Sequence, residues 1–200
     1  MKTLFINATT KDSSRILLLA KHLIDKYINK DINNNDNNYI EVDLSKDIIP
    51  NVDDHSFEIK YDHLHKGDIY HPCLKNATLL KEAELIIIAA PIWNLSFPSS
   101  LKAFLDDSIL TNYTFKYGPF GNIISMTNTK KVILVSNSGG PYLKKYSYDY
   151  IKSISKTFLN TSDVILFKAE YLDVFKGCVE KILSKTISKI DRYFSKHPIK

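Results

Sequence analysis

Cysteine is almost absent from this 200-residue chain: only Cys73 and Cys178 occur. Two distant thiols outside any CxxC pattern support neither a disulfide framework nor a zinc knuckle, and a reducing cytoplasm is the compartment expected. Glycine is scarce too, and none of the six falls in the polar stretch Asn7 to Arg15, so a P-loop or a GxGxxG turn is excluded there. Long apolar runs are missing. The N-terminus turns polar after Leu4-Phe5-Ile6, too short for the core of a secretory signal, and no later segment reaches the length of a membrane span. A chain neither exported nor inserted is expected. No block of like charge appears either: 27 Lys and Arg against 22 Asp and Glu leave +5, spread along the chain. That mild excess argues against nucleic acid and favours small anionic partners. Neither a Ser-His-Asp set nor a pair of catalytic carboxylates is evident.

What is present is an ordinary soluble composition, 44% hydrophobic and 24% charged, sufficient for a single domain over residues 1–200. Its most informative stretch runs from Glu84 to Pro98. Leu85 to Ala90 is continuously apolar and β-branched at its centre, which reads as a strand buried on both faces, and Pro91 stops the ladder. In an open α/β sheet, ligands sit beyond the carboxyl ends of such strands, so Ile92 to Phe97 is a candidate site. Trp93, Asn94 and Phe97 offer two flat apolar surfaces and one amide, which suits a planar heterocycle.

Taken in order, Thr3 to Ile6 reads as a strand. The loop Asn7 to Arg15 follows, rich in hydroxyls, and then a helix with Ile16, Leu19, Ala20, Leu23, Ile24 and Tyr27 at helical spacing. Either Asp12 or Ser13 caps that helix, or the loop and the helix N-terminus hold a phosphate. Lys30 to Asn38 is a polar surface connection, and Tyr39 to Leu44 alternates as an edge strand. Ser45 to Lys75 lacks periodicity and reads as a solvated excursion. Its His63-Leu64-His65 spacing suits a metal only on a strand, and Cys73 reads as an apolar filler. Leu74 to Glu82 is a short helix, and Ser99 or Ser100 caps another carrying Leu101, Phe104, Leu105 and Ile109. Thr114 to Gly121 is a turn-rich aromatic loop, fit to be a lid, a subunit contact or a pinned loop. Val132 to Val135 is a second buried strand, running into Asn137-Ser138-Gly139-Gly140-Pro141-Tyr142, where adjacent glycines either permit close approach of a ligand to backbone N–H groups or form a simple turn. Asp149 to Leu159 is helical, Val164 to Phe167 is the last strand, and Phe175 to Phe194 is a long closing helix. Five strands alternating with helices predict a doubly wound α/β fold with helices on both faces and the flavodoxin-like strand order 2-1-3-4-5. The three loops then lie side by side.

Those loops carry a resemblance. Asp12-Ser13-Ser14-Arg15, Ala90-Pro91-Ile92-Trp93-Asn94 with Leu101 to Asp106 behind it, Phe115-Lys116-Tyr117 with Gly118-Pro119-Phe120-Gly121, and Ser138-Gly139-Gly140 together resemble the FMN-dependent NADH-azoreductases, also described as NADH:quinone oxidoreductases, over nearly the whole chain. The resemblance implies a homodimer with one FMN per subunit, NADH as co-substrate, and quinones or azo compounds as acceptors. It places Thr9, Asp12, Ser13 and Ser14 at the phosphate, Ile92, Trp93, Asn94 and Leu95 along the flavin ring, and Asn137, Ser138, Gly139 and Gly140 at its pyrimidine end. Asp12 departs from the family pattern and is expected to turn outward. Leu95 replaces an aromatic found in some members. Tyr117 and Phe120 are expected to wall the substrate space. No side-chain acid, base or nucleophile is required, because the flavin would carry the electrons in a ping-pong cycle while backbone amides near Asn94 and Ser138 to Gly140 tune it. The rival reading is a flavodoxin-type one-electron carrier without substrate turnover, which the basic charge and the glycine-poor first loop disfavour.

Overall fold

The computed structural model describes residues 1–11, 13–29, 38–47, 49 and 52–199. Lys30 to Asn38, read above as a polar connection, falls outside these except at Asn38, as does Asp12. Five strands form one parallel sheet: β1 (Thr3–Asn7), β2 (Ile40–Asp43), β3 (Leu85–Pro91), then Lys131–Asn137 and Val164–Ala169, which follow a hairpin and are therefore β6 and β7. Their order, β2-β1-β3-β6-β7, is the expected 2-1-3-4-5. All five residues of β1 and all seven of β3 are buried, as continuous apolar runs require in central parallel strands. On the exposed edge strand β2 only Val42 is buried.

Alternate residues of each strand go to different cores. Leu4, Ile6, Ile86, Ile88, Val132 and Leu134 join Leu80 of α3 (Lys75–Glu82), Leu101, Phe104 and Leu105 of α4 (Ser99–Ser108), and Ile151 of α5 (Tyr148–Phe158). Phe5, Ile87, Ile133 and Val135 join Ile16, Leu19 and Leu23 of α1 (Arg15–Tyr27) and Ile190 and Phe194 of α6 (Val179–Lys196). The period-two alternation of a strand meets the helical period of its cover.

Four expectations need correction. The 45–75 segment is not a featureless excursion: Asp54–His65 is a helix, α2, opened by a capping box in which the Asp53 carboxylate accepts from Ser56 N–H at 2.8 Å and Ser56 Oγ accepts from Asp53 N–H at 3.0 Å. Phe57, Tyr61 and Leu64 stand at helical spacing, with Phe57 and Leu64 packed on Leu74, Ala77, Leu110 and Tyr113, while its one buried residue is Lys60. The aromatic loop is a hairpin, β4 (Phe115–Tyr117) with β5 (Ile123–Ser125), anchored by Phe115 edge-on to Phe158 at 5.0 Å between ring centres. Neither Ser99 nor Ser100 caps α4, because Pro98 occupies the N-cap position. The last helix begins at Val179 rather than Phe175, after a short 3-10 turn at Lys176–Cys178.

Candidate functional site

Beyond the carboxyl ends of β1, β3 and β6 lies a cavity of about 280 Å³. Its wall is drawn from all three loops: Thr9, Thr10, Lys11, Ser14 and Arg15 from the first, Ile92 and Trp93 from the second, and Asn137, Ser138 and Gly139 from the third.

The first loop is organised by Asn7, whose side-chain oxygen accepts from Thr9 N–H at 3.1 Å and from Thr9 Oγ1 at 2.8 Å, while its amide donates to Glu41 at 3.1 Å. Thr9 is 3% exposed, so this bond fixes the loop where it leaves the sheet. Ser14, not Ser13, takes the N-cap of α1, and its side chain makes no capping bond. The first-turn N–H groups of a helix have no partner within the helix, and the dipole places partial positive charge there. Arg15 and Lys11 bring positive charge to the same wall, the Arg15 guanidinium standing 3.8 Å from the Asp173 carboxylate. Ser13 faces instead a neighbouring groove with Leu17 and Lys21.

The second loop reverses within two residues. Ile92 N–H still donates to Asn137 C=O at 2.9 Å, so bonding to β6 runs one residue past Pro91 instead of stopping at it. Trp93 and Ser96 then exchange backbone bonds at 2.7 and 3.0 Å around Asn94 and Leu95, whose φ values are 48° and 79°. Two successive left-handed residues make a type I′ turn, unusual for a leucine. The turn is held by Ser96 Oγ donating to Tyr146 C=O at 2.7 Å. Trp93 is 48% exposed at the cavity edge, whereas Asn94 and Leu95 stand outside its wall.

The third loop is pinned to the segment after β7. Leu172, Tyr171 and Asp173 N–H donate to the carbonyls of Ser138, Gly140 and Gly139 at 3.2, 3.0 and 3.0 Å. A Cβ on Gly139 would lie 2.2 Å from the Asp173 carboxylate, which would have to swing aside for any other residue. Nearby, Glu170 is pushed up by burial, but the Lys168 ammonium at 2.8 Å and Tyr142 N–H at 3.2 Å outweigh this and hold it below the usual carboxylate range.

Sequence reasoning thus brought Thr9, Ser14, Ile92, Trp93, Asn137, Ser138 and Gly139 to one wall. Ser13, Asn94, Leu95 and Gly140 lie beside it, and Asp12 is outside the described residues. Tyr117 and Phe120, 62% and 97% exposed on the β4–β5 hairpin, do not reach it within one chain. The same wall also holds Thr10, Lys11, Arg15, Ile16, Pro91, Leu172 and Asp173, which were not among the residues singled out. Arg15, at the start of a helix facing an anion site, had a legible signal. Leu172 and Asp173 had none, because their loop follows the edge strand β7 and carries no glycine or buried run.

The arrangement can take a molecule with an anionic end at α1 and a flat end at Trp93. Residues 1–176 match a protein family described as having a flavodoxin-like fold. The chain is 34% identical over 193 residues to an FMN-dependent NADH:quinone oxidoreductase of Clostridium beijerinckii, covering 94% of this chain and 95% of that one. It is likewise 34% identical over 195 residues to FMN-dependent NADH:quinone oxidoreductase 2 of Clostridium acetobutylicum, with 94% and 95% covered. Among solved structures, an azoreductase from Bacillus anthracis superposes with a TM-score of 0.80 at 21% identity, covering 98% and 99% of the two chains, and so shares the fold. With this cavity, this strand order and these relatives, the chain belongs to the family of FMN-dependent NADH:quinone oxidoreductases, enzymes of the flavodoxin-like fold.

Proposed function

We propose that this chain binds FMN in the cavity above β1, β3 and β6 and catalyses two-electron reduction of quinones or azo compounds by NADH. The observation that carries the reading is the convergence of three loops on one cavity that is cationic at a helix N-terminus and flat at an indole. The donor set suits a phosphorylated planar ring: N–H groups at the start of α1 with Ser14, Lys11 and Arg15 hold the phosphate, and Thr9 exchanges its bond to Asn7 for one to phosphate. Trp93 and Ile92 line the ring, and the Asn137 to Gly140 backbone faces its pyrimidine end. Asn94 and Leu95, on the turn beside Trp93, extend the contacts expected from the family pattern. FMN held there would supply the two-electron chemistry that links NADH to the acceptor in a ping-pong order.

The protein's own part is orientation and electrostatics. Asn94 and Leu95 aim the tight turn at the ring edge. N–H groups of the third loop, fixed by their neighbours after β7, stabilise negative charge at the pyrimidine end without having to reorganise. Tyr117 and Phe120, aromatic and solvent-facing on a hairpin, wall the substrate space of a second copy, so the working unit is a homodimer with one FMN per subunit. The same reading takes residues 1–200 as a single domain, with helices on both faces of the sheet, in the cytoplasm.

Fluorescence titration with FMN tests it, together with NADH oxidation in the presence of menadione. Wild type takes up one FMN per chain. Arg15→Gln, which removes a charge-assisted bond of about 1.5–3 kcal/mol, weakens it about ten- to a hundredfold. Uptake of FMN without any NADH turnover would leave the one-electron carrier instead; no uptake ends both readings.

A further inference from the structure

Away from this cavity, the end of α2 and the turn that follows it bring together His63, His71 and Cys73. One ligand atom from each lies within 4.8 Å of the other two, and all three side chains are half-buried. His71 Nδ1 stands 3.0 Å from Cys73 Sγ, across the Pro72 turn. His63 Nδ1 stands 3.0 Å from Asp68 Oδ2, which fixes the ring and leaves Nε2 for another partner. The two imidazoles lie parallel, with centres 3.5 Å apart and planes 12° from one another.

Packing alone does not account for this set. Cys73 covers the apolar cluster of Leu74, Ala77, Leu110 and Tyr113, and His71 Nδ1 accepts from Cys73 N–H at 3.4 Å at the start of the 3-10 turn. Neither role needs a second imidazole stacked on the first with a carboxylate holding its ring. A histidine whose second nitrogen is held by a carboxylate is the usual arrangement of a metal ligand, because the carboxylate sets the tautomer and raises basicity. Ligands of tetrahedral zinc, with bonds of about 2.0–2.3 Å, stand roughly 3.3–3.6 Å apart, so His71 and Cys73, 3.0 Å apart, need to separate by only a few tenths of an ångström. Thiolate with imidazole selects a borderline, thiophilic cation over calcium or magnesium.

We propose that His63, His71 and Cys73 form a three-ligand site for a divalent cation of the zinc class, with Asp68 orienting His63 and the fourth position left to water. Binding releases the Cys73 thiol proton to solvent, engages both imidazoles through neutral nitrogens, and tilts the rings out of their stack by their soft terminal torsions. It fastens α2 to the turn that leads into α3. His65, the residue that sequence spacing paired with His63, is exposed and outside the set.

The test is calorimetric titration of the tag-free, flavin-loaded protein with zinc chloride, checked by metal content after dialysis. One equivalent per chain is expected. Cys73→Ser and His63→Gln each weaken binding at least tenfold, Asp68→Asn weakens it about 10–100-fold, and His65→Gln leaves it unchanged. If Cys73→Ser fails to fold by circular dichroism, His71→Gln takes its place. Absence of saturable one-to-one binding overturns the proposal, as does undiminished affinity in Cys73→Ser or a loss in His65→Gln as large as in His63→Gln. None of these outcomes depends on the flavin reaction.

Discussion

Replacing Asp107 by alanine should be among the most damaging single changes outside the cavity. Asp107 on α4 and Lys60 on α2 are each 3% exposed. The Lys60 ammonium donates to the Asp107 carbonyl at 2.7 Å and to its carboxylate, and Asn76 of α3 donates to the other carboxylate oxygen at 2.9 Å. Three helices are thus joined through one carboxylate. Placing both charges in the interior removes several kcal/mol of hydration from each, which their attraction offsets only while both are present. Asp107→Ala leaves the ammonium with a lone carbonyl, at a cost of about 3–5 kcal/mol. At about 2–4 °C per kcal/mol for a chain of this size, the midpoint of thermal unfolding falls by roughly 6–20 °C. Urea and thermal unfolding followed by circular dichroism read it. The double variant Lys60→Met/Asp107→Leu has no stranded charge and should recover most of the loss. A single-variant loss under about 1 kcal/mol, or a double variant less stable than the two singles summed, would refute the reasoning.

Gly139→Ala forces the Asp173 carboxylate aside; as that side chain is 76% exposed it can move, so the loss is roughly 0.5–1.5 kcal/mol. A double-variant cycle with Asp173→Ala should show the loss vanish, whereas strict additivity would contradict the contact. Asp191 is pushed up by burial, but bonds from His22, Tyr27 and Lys26 outweigh this and lower it from 3.8 to about 2. A depressed carboxylate contributes stability above its unfolded value that is lost as pH falls through the folded one, so wild type should lose it between about pH 4 and pH 2. Asp191→Asn should flatten that limb in acid titrations, and an unchanged limb would exclude the linkage.

The sheet was legible wherever burial on both faces had written continuous apolar runs, as in Leu85 to Ala90 and Val132 to Val135. The amphipathic helices were legible for the matching reason. α2 was hidden because its apolar stripe is short, Phe57, Tyr61 and Leu64, and its one buried residue is a lysine, a type that reads as a surface residue. The β4–β5 hairpin was hidden by its three-residue strands, too short for alternation to register. At the site, the glycine pair and the Trp93 loop were visible as residue types out of place. Asp173 was not, because its place depends on backbone bonds to Ser138, Gly139 and Gly140 that no local pattern announces.

The register of the sheet explains why the cavity forms where it does. Asn137, the last residue of β6, pairs with Pro91 and with Ala169, so β3, β6 and β7 end level. Asn7, the last residue of β1, pairs with Ala89, two residues short of Pro91. At about 3.3 Å per residue, the first loop therefore leaves the sheet roughly 7 Å below the crest of its neighbours. Its chain must climb past β3 before α1 can begin, and the Asn7 to Thr9 bonds start that climb. A recess is left between the low end of β1 and the high ends of β3 and β6, with the N-terminus of α1 on one side and Trp93 on the other. Filling the recess with a larger first loop, or lengthening β1 by two residues, would remove the cavity while leaving every strand pair intact.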